Sequence, residues 1–303
     1  MRQLKFRQSG LAWAALGVTG FSLTFPATRL AVQFMPVAWV GAGRGVLAGL
    51  AAGLVLLALR APLPKRCYWG RLALIALCIV IAFPWLIAQA LSTQSAGYSA
   101  ILAGAIPLLT ALVAWLRGGE RLPLVFWYAA LAGSLGVILY GATHFHASAQ
   151  GSVYLLAAIV CAAIGYAEGG RLAAELGGMQ VVSWSVVLAM PVLFPVALAS
   201  TPDWSTIPGV AWAAFVYLGL ISQWLAFYPW YRGMAQAGVA QAAQVQQLQV
   251  FLTLIVSAVW LGESIGWVDA VFAAWVAGCV LFAQRASVYR GAKLARVRIS
   301  VVT

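Results

Sequence analysis

The sequence is poor in the side chains that soluble enzymes use for chemistry. It has six Asp and Glu residues and two histidines among 303 residues. The histidines, His144 and His146, share one short segment with no cysteine or acid nearby. No Ser-His-Asp set, phosphate-binding glycine loop or helical His-Glu motif occurs in the sequence. We therefore expect no catalytic centre, no metal site and no cofactor.

The four cysteines indicate neither a metal site nor a disulfide. Cys78, Cys161 and Cys279 lie inside apolar segments, and Cys67 lies in a short connection. None has the spacing of metal ligands, and no pair indicates a disulfide. We interpret them as small packing residues.

Charge of either sign is scarce. Charged residues make up 8% of the chain, whereas soluble domains average about 25%. Hydrophobic residues make up 64% of the chain, against roughly 45–50% in soluble domains. The net charge of +12 then reflects membrane topology and attraction to anionic lipid. Nucleic acid is not expected as a partner, because no basic run is interleaved with stacking aromatic residues.

What the sequence does contain is ten apolar segments, each close to the ~20 residues that a membrane-spanning helix needs. The connections between them are short, so a separate soluble domain is not expected. The predicted segments are Leu11–Gln33, Val37–Leu59, Gly70–Ala90, Ser95–Leu116, Leu122–Gly141, Ser152–Ala173, Gln180–Ala199, Ile207–Tyr231, Gly238–Leu261 and Ile265–Gln284.

The basic residues mark one side of this arrangement. Of the 18 Lys and Arg residues, 16 lie in the termini or in alternate connections; the other two are Arg29 and Arg44. Basic residues near segment ends resist translocation, so this side is predicted to be cytoplasmic. The pattern predicts an all-α integral membrane protein with ten transmembrane helices and with both N- and C-termini in the cytoplasm.

The chain also repeats itself. The segment Ala100–Glu120 aligns with Ala243–Glu263 at a constant offset, and both copies end in Gly-Glu. Five helices in each half is an odd number, so the second half must insert inverted, as in many secondary transporters. The alternative is that simple apolar helices align by chance. The predicted boundaries are 10–141 and 151–285 for the two five-helix repeats and 286–303 for a basic cytoplasmic tail.

These features resemble the EamA family of the drug/metabolite transporter superfamily. The hallmark of that family is a Pro and a Glu separated by twelve residues at the fourth helix, and Pro107 and Glu120 have this spacing. The second repeat keeps Glu263 but has Val250 where the first has Pro107. Within the family, the chain is most similar to YddG-type aromatic amino-acid exporters. The resemblance implies export of aromatic and other neutral amino acids across the bacterial inner membrane by alternating access.

The ninth segment contains a run of glutamines. An uncompensated buried amide costs roughly 2–7 kcal/mol, so these side chains must face partners or water. Helical phase puts Gln241 and Gln244 on one face, which we predict to line a substrate cavity. Gln246 and Gln249 lie on another face and are expected to bond neighbouring helices. The alternative is that both faces make interhelical contacts.

Aromatic and amide side chains in other segments complete the predicted substrate site. Rings accept apolar side chains, and their polar groups orient a ligand. The alternative is an interfacial aromatic belt. The predicted substrate-binding residues are Gln241, Gln244, Trp85, Gln89, Tyr98, Tyr166, Trp224 and Tyr228.

A gate is predicted from the few residues that are costly or disruptive in a membrane helix. Glu168 is the candidate gate or coupling residue, with the alternative of a snorkelling side chain paired with Arg171. Pro26 and Pro84 are expected to kink their helices and let the helix ends rock. Arg44 is expected to tie helix ends together.

Two rival functions remain open from the sequence. One is export of other small metabolites or cationic drugs by the same fold. The other, from a different class, is a non-transporting membrane component or a lipid-handling enzyme. In the favoured reading the partners are a small-molecule substrate and membrane lipid.

Overall fold

A computed structural model describes residues 2–117, 124–143, 148–275, 277–279 and 281–282. The described part is helical throughout and contains no strand. Glu120, His144, His146 and the tail 286–303 lie outside the described residues.

Eight helices are long and apolar enough to cross a membrane. A further 20-residue helix, α5, lies between the fourth and fifth of them, and the tenth segment is described only in part. The count of ten transmembrane helices therefore stays a prediction. The helices are α1 (Gln8–Phe34), α2 (Val37–Ala58), α3 (Arg66–Thr93), α4 (Ala96–Leu116), α5 (Leu124–Thr143), α6 (Ala149–Leu176), α7 (Gly178–Ala199), α8 (Gly209–Ala237), α9 (Val239–Leu261) and α10 (Trp267–Cys279).

Local sequence explains where several helices begin and end. Ser95 and Ser148 are the N-caps of α4 and α6. Each hydroxyl accepts a hydrogen bond from the backbone N–H three residues later, that of Tyr98 or of Gly151. Gly177 and Gly238 have positive φ angles of 85° and 94°. Each forms a one-residue connection, α6 to α7 and α8 to α9, in a conformation that favours glycine.

The helices alternate in direction. The start of α3 and the ends of α4 and α6 meet, because Arg71 and Arg117 both bind Glu168. At the opposite end, Glu263 after α9 binds the backbone N–H of Ala96 at the start of α4. We call these the basic end and the acidic end. The acidic end carries Glu263, Asp203 and Asp269.

The first and sixth helices run in opposite directions. Trp13 in α1 lies beneath the Arg232 guanidinium, 4.2 Å from the ring centroid, and Gly178 beside the end of α6 approaches the backbone at Arg232. Thus α1 begins at the basic end, where α6 finishes. This is the relation that two inverted five-helix halves require.

Five helices are irregular near their centres. Helix α1 breaks between Phe21 and Thr24, α4 between Ala103 and Ile106, and α9 at Gln246. Helices α3 and α8 each contain a π-helical stretch, Ala76–Ala82 and Tyr217–Leu225. π-Helical turns are rare and often mark functional sites.

These irregularities recur at nearly the offset of the sequence repeat. The breaks of α4 and α9 correspond, and so do the π-helical stretches of α3 and α8. Pro26 lies in the first turn after the α1 break, and Pro84 opens the α-helical part of α3 that follows its π-helical stretch. Pro26 therefore sits in a first turn, where a missing N–H costs little, whereas Pro84 lies inside the continuous helix α3.

The glycines of α2 serve contacts inside the chain. A Cβ added at Gly45 or Gly49 would collide with Leu193 or Met190 of α7. At Gly41 it would meet the backbone of Trp85 in α3. Small residues at four-residue spacing let helices approach closely, and here they set the α2–α7 contact.

Candidate functional site

The irregular parts of the helices surround one small central pocket. Its free space is about 20 Å³, room for little more than one water molecule. The pocket draws side chains from α1, α2, α3, α4, α6, α8 and α9. The lining residues are Phe21, Thr24, Phe25, Arg44, Ile79, Phe83, Ile106, Tyr166, Ser222, Gln223, Phe227, Gln246 and Gln249.

Polar side chains around the pocket satisfy carbonyl groups that the helix breaks release. A freed carbonyl within a membrane needs a donor, and each of these is found on another helix. The donors are neutral amides and hydroxyls, so they fix the breaks without adding charge. The bonds are Gln249 to Phe21 O (3.2 Å), Thr253 to Ser22 O (2.8 Å), Tyr217 to Gly20 O (2.6 Å), Gln247 to Gly104 O (2.8 Å) and Gln223 to Ile79 O (3.2 Å).

Arg44 is the one charged residue in the pocket lining. Its side chain is buried, with 2% of the residue exposed, and Nη2 donates to the hydroxyl of Ser222 at 2.9 Å. Ser222 in turn shares a hydrogen bond with Thr24 at 2.8 Å. Nε and Nη1 of Arg44 have no hydrogen-bond partner within the described part of the chain. The pocket thus holds a positive charge with unused donors.

Apolar and aromatic groups form the rest of the wall. Tyr166 and Phe227 contact each other with ring centroids 6.0 Å apart, and Phe21 lies 4.8 Å from Phe227. Gln246 interacts with Tyr166, while its buried side-chain oxygen has no partner among the described residues. The pocket therefore offers ring surface, a free cation and a free neutral acceptor.

An ionic cluster holds the basic end together. Glu168 of α6 binds Arg71 of α3 and also Arg117 of α4, the latter at 2.9 Å. Arg71 reaches Glu175 at 2.6 Å, and Arg171 donates to the Arg117 carbonyl at 2.7 Å. One buried carboxylate thus joins three helices. Arg171, the partner of Glu168 in the alternative interpretation of that residue, donates to backbone instead.

The acidic end is held by hydrogen bonds to backbone and short side chains. Glu263 accepts from the N–H groups of Ala96 and Gly97 at 2.8 and 2.9 Å, at the start of α4. A carboxylate at a helix N-terminus is favoured by the helix dipole. Gln94 donates to the Ser148 carbonyl and the Ser152 hydroxyl, both at 2.9 Å.

Of the eight predicted substrate-binding residues, Tyr166 is among the residues that line the central pocket, and the other seven are not. Tyr98 lies at the acidic end, where its ring stacks on Tyr140 at 5.6 Å. Trp224 is buried and donates to Ser183 of α7 at 3.0 Å. Tyr228 accepts from Arg232 at 2.7 Å near the basic end.

The remaining predicted residues lie on other surfaces. Trp85 is 40% exposed on α3, and Gln89, one turn further, is half-buried. Gln241 is half-buried and Gln244 is buried, both before the break in α9. Neither glutamine is among the residues that line the central pocket.

The central pocket is lined by Arg44, which the sequence analysis did not place in the substrate site, and by Gln246 and Gln249 rather than Gln241 and Gln244. Arg44 does not tie helix ends, because its hydrogen bond goes to Ser222 in the middle of α8. The signal was present, since an ionisable residue inside a membrane helix is by default a functional candidate. For the glutamines, helical phase separated Gln246 and Gln249 from Gln241 and Gln244, but it carries no information on which of the two faces meets the pocket.

The fold and this pocket together define a class of protein: a multi-pass helical membrane protein with a polar site at the meeting point of broken helices. The model of the EamA-like transporter family matches the chain twice, over residues 8–142 and 149–283. The chain therefore belongs to the EamA-like transporter family. It is a transporter rather than an enzyme, and a multi-pass protein of the bacterial inner membrane.

Individual relatives agree with this assignment. The chain is 39% identical over 272 residues to the uncharacterized transporter YdeK of Bacillus subtilis, covering 89% of this chain and 95% of that protein. It is 27% identical over 262 residues to a probable terminal-alkyne amino-acid exporter of Streptantibioticus cattleyicolor, covering 84% and 86%. A solved crystal structure matches with a TM-score of 0.68 at 21% identity, over 91% of this chain and 98% of that chain, a likeness of fold.

Proposed function

We propose that this protein is a secondary transporter that exports aromatic and other neutral amino acids across the inner membrane. One observation carries the proposal: the central pocket combines aromatic walls, neutral amides and a single free cation. An aromatic amino acid presents a ring, an ammonium group and a carboxylate. Its three parts match the three kinds of group in the pocket.

The charge of the pocket bears on the rival substrates. Arg44 is its one ionisable side chain of fixed charge, and no Asp or Glu occurs among its lining residues. A cationic drug would meet a like charge without a counter-ion, which is unfavourable in a low-dielectric site. A relative at 27% identity is named as an amino-acid exporter, which supports the same substrate class.

We further propose that the chain forms ten transmembrane helices as two inverted repeats, 10–141 and 151–285, with a cytoplasmic tail at 286–303. The repeated irregularities in α3 and α8 and in α4 and α9 support this arrangement. Both termini are then cytoplasmic, and the basic end faces the cytoplasm.

Transport follows an alternating-access cycle in this proposal. The pocket as it stands admits about one water molecule, so a larger substrate enters only when helices move. The breaks in α1, α4 and α9 lie against the pocket and provide hinges, with Pro26 and Pro84 at the start of rigid segments. The Glu168 cluster gates the basic end, and the Glu263 contacts gate the acidic end.

Flux into liposomes that contain the purified full chain tests the proposed function. Radiolabelled phenylalanine is compared with lysine and with an ethidium-like cation, since a like charge at a binding site costs several kcal/mol and predicts at least ~10-fold discrimination. Phenylalanine flux above that of protein-free liposomes supports the proposal. Ethidium flux without phenylalanine flux would support the drug-exporter alternative, and no flux of any of the three would contradict both.

A further inference from the structure

Arg44 lies inside α2 and is held by a short relay of hydrogen bonds. It lies seven residues into α2, about 10 Å from the first residue of the helix. Nη2 donates to the hydroxyl of Ser222 in α8, and that hydroxyl also shares a hydrogen bond with Thr24 in α1. This relay orients the guanidinium but uses only one of its donor atoms.

The positive charge of Arg44 has no acidic partner in the described residues. The three ion pairs found there all involve Glu168 or Glu175 at the basic end. Charged side chains inside membrane proteins are usually paired, because an isolated buried charge is costly. An arginine that remains alone and fully buried is therefore a strong candidate for pairing with a mobile anion.

We infer that Arg44 is the subsite for the carboxylate of the transported molecule. A planar guanidinium holds a carboxylate through two parallel hydrogen bonds, one of them from Nη2. Nε and Nη1 are both without a partner in the described chain, and Nη2 has a second N–H besides the one that bonds Ser222, so such a pair of donors is available. This inference refines the proposed function, because it names the group that recognises the substrate. Binding of the anion also neutralises the buried charge during passage.

Gln246 supplies the second half of the recognition. Gln246 lines the same pocket from α9, and its side-chain oxygen has no partner among the described residues. Tyr166 lies near both Gln246 and Arg44. A neutral amide oxygen accepts a hydrogen bond from an ammonium group but adds no ionic attraction. The carboxylate therefore contributes more to affinity than the amine does.

This difference ranks three ligands that share one ring. L-Phenylalanine has both groups, 3-phenylpropionate has only the carboxylate, and phenylalaninamide has the amine but no carboxylate. We expect the first two to stabilise the purified full chain against heating. Phenylalaninamide should need about a 10- to 100-fold higher concentration for the same shift, the range of a lost charge-assisted hydrogen bond.

The test repeats this ranking on variants of Arg44. The Arg44→Gln variant should be stabilised equally by 3-phenylpropionate and by phenylalaninamide. The Arg44→Lys variant should keep part of the preference for the carboxylate ligand, because it keeps the charge. Arg29→Gln is the matched control, since Arg29 donates to the Leu91 and Ser92 carbonyls at the acidic end and should keep the full preference. Without ligand, Arg44→Gln should melt no lower than the wild type, because it removes an unpaired buried charge.

The possible results separate this inference from the proposed function. Acid preference that survives Arg44→Gln, or a wild type that no carboxylate stabilises, would overturn the carboxylate subsite. If Arg44→Gln does not fold, Arg44→Lys decides the question: a reduced preference supports the subsite, and the full wild-type preference would overturn it. Acid-specific stabilisation together with no amino-acid flux would instead sustain the subsite and contradict the proposed function.

Discussion

The two ends of the helix bundle are closed by different kinds of contact. At the basic end, the Glu168 carboxylate binds Arg71 and Arg117 from two other helices. At the acidic end, Glu263 and Gln94 bind backbone groups and serine hydroxyls in several separate contacts. The basic end depends on a single carboxylate, whereas the contacts of the acidic end are shared among several independent hydrogen bonds.

This difference predicts unequal sensitivity to mutation. Loss of Glu168 removes two contacts at once and leaves two arginines of like charge near each other. Loss of one acceptor or donor at the acidic end leaves the remaining contacts intact. We therefore expect the basic end to open with a single substitution and the acidic end to respond gradually.

The largest effect is expected for Glu168→Gln. The arginine side chains are 27% and 50% exposed, so the cost is below that of a fully buried pair, about 1–2 kcal/mol. Phenylalanine turnover should fall about 10-fold, because the state closed at the basic end becomes rare, while affinity changes little. Initial rates of flux and equilibrium binding measure the two quantities.

Glu175→Gln is the matched control for Glu168. Glu175 also binds Arg71, but its side chain is 44% exposed, and exposed ion pairs contribute little. Its turnover should stay within about 2-fold of the wild type. Equal losses in the two variants would show that the cluster does not depend on Glu168.

A smaller effect is expected for Glu263→Gln. The carboxylate accepts two backbone hydrogen bonds at the start of α4, and the amide that replaces it keeps one oxygen. Turnover should fall about 3- to 5-fold, as expected for roughly 1 kcal/mol. Asp203→Asn is the control, because Asp203 bonds only within its own turn, to Ser205; a drop as large as that of Glu263→Gln would assign the loss to acidic-end charge in general.

The smallest effect is expected for Gln94→Leu. The Gln94 amide joins α3 to Ser148 and Ser152 at the start of α6, and neutral hydrogen bonds contribute about 1 kcal/mol or less. Flux should fall about 2-fold. The control is Gln150→Leu, an exposed glutamine on the same end; a Gln94 effect larger than that of Glu168→Gln would reverse the proposed difference between the ends.

Much of this architecture is readable from the sequence. Apolar length predicted ten segments, and the structure has eight helices long and apolar enough to cross a membrane. The breaks of α4 and α9 recur at nearly the offset between Ala100–Glu120 and Ala243–Glu263. The position of Glu168 near a helix end followed from counting residues. These features depend on composition and spacing, which the sequence states directly.

The centre of the site was less predictable for a physical reason. Helical phase separates the two polar faces of α9, but which of them meets the pocket depends on the helices packed against α9. The burial of Arg44 depends on the approach of α1 and α8, which the sequence of α2 does not contain. Tertiary contacts decide both positions.

The most direct test of the account is labelling of a pocket residue from each side of the membrane. Ile79, which lines the pocket, is changed to cysteine in a chain whose own cysteines, Cys67, Cys78, Cys161 and Cys279, are replaced by serine. An impermeant maleimide is then applied to vesicles of either orientation. We predict that Glu168→Gln raises labelling from the basic end and Glu263→Gln raises it from the acidic end. Increases from the same side in both variants would contradict two gates on one central pocket.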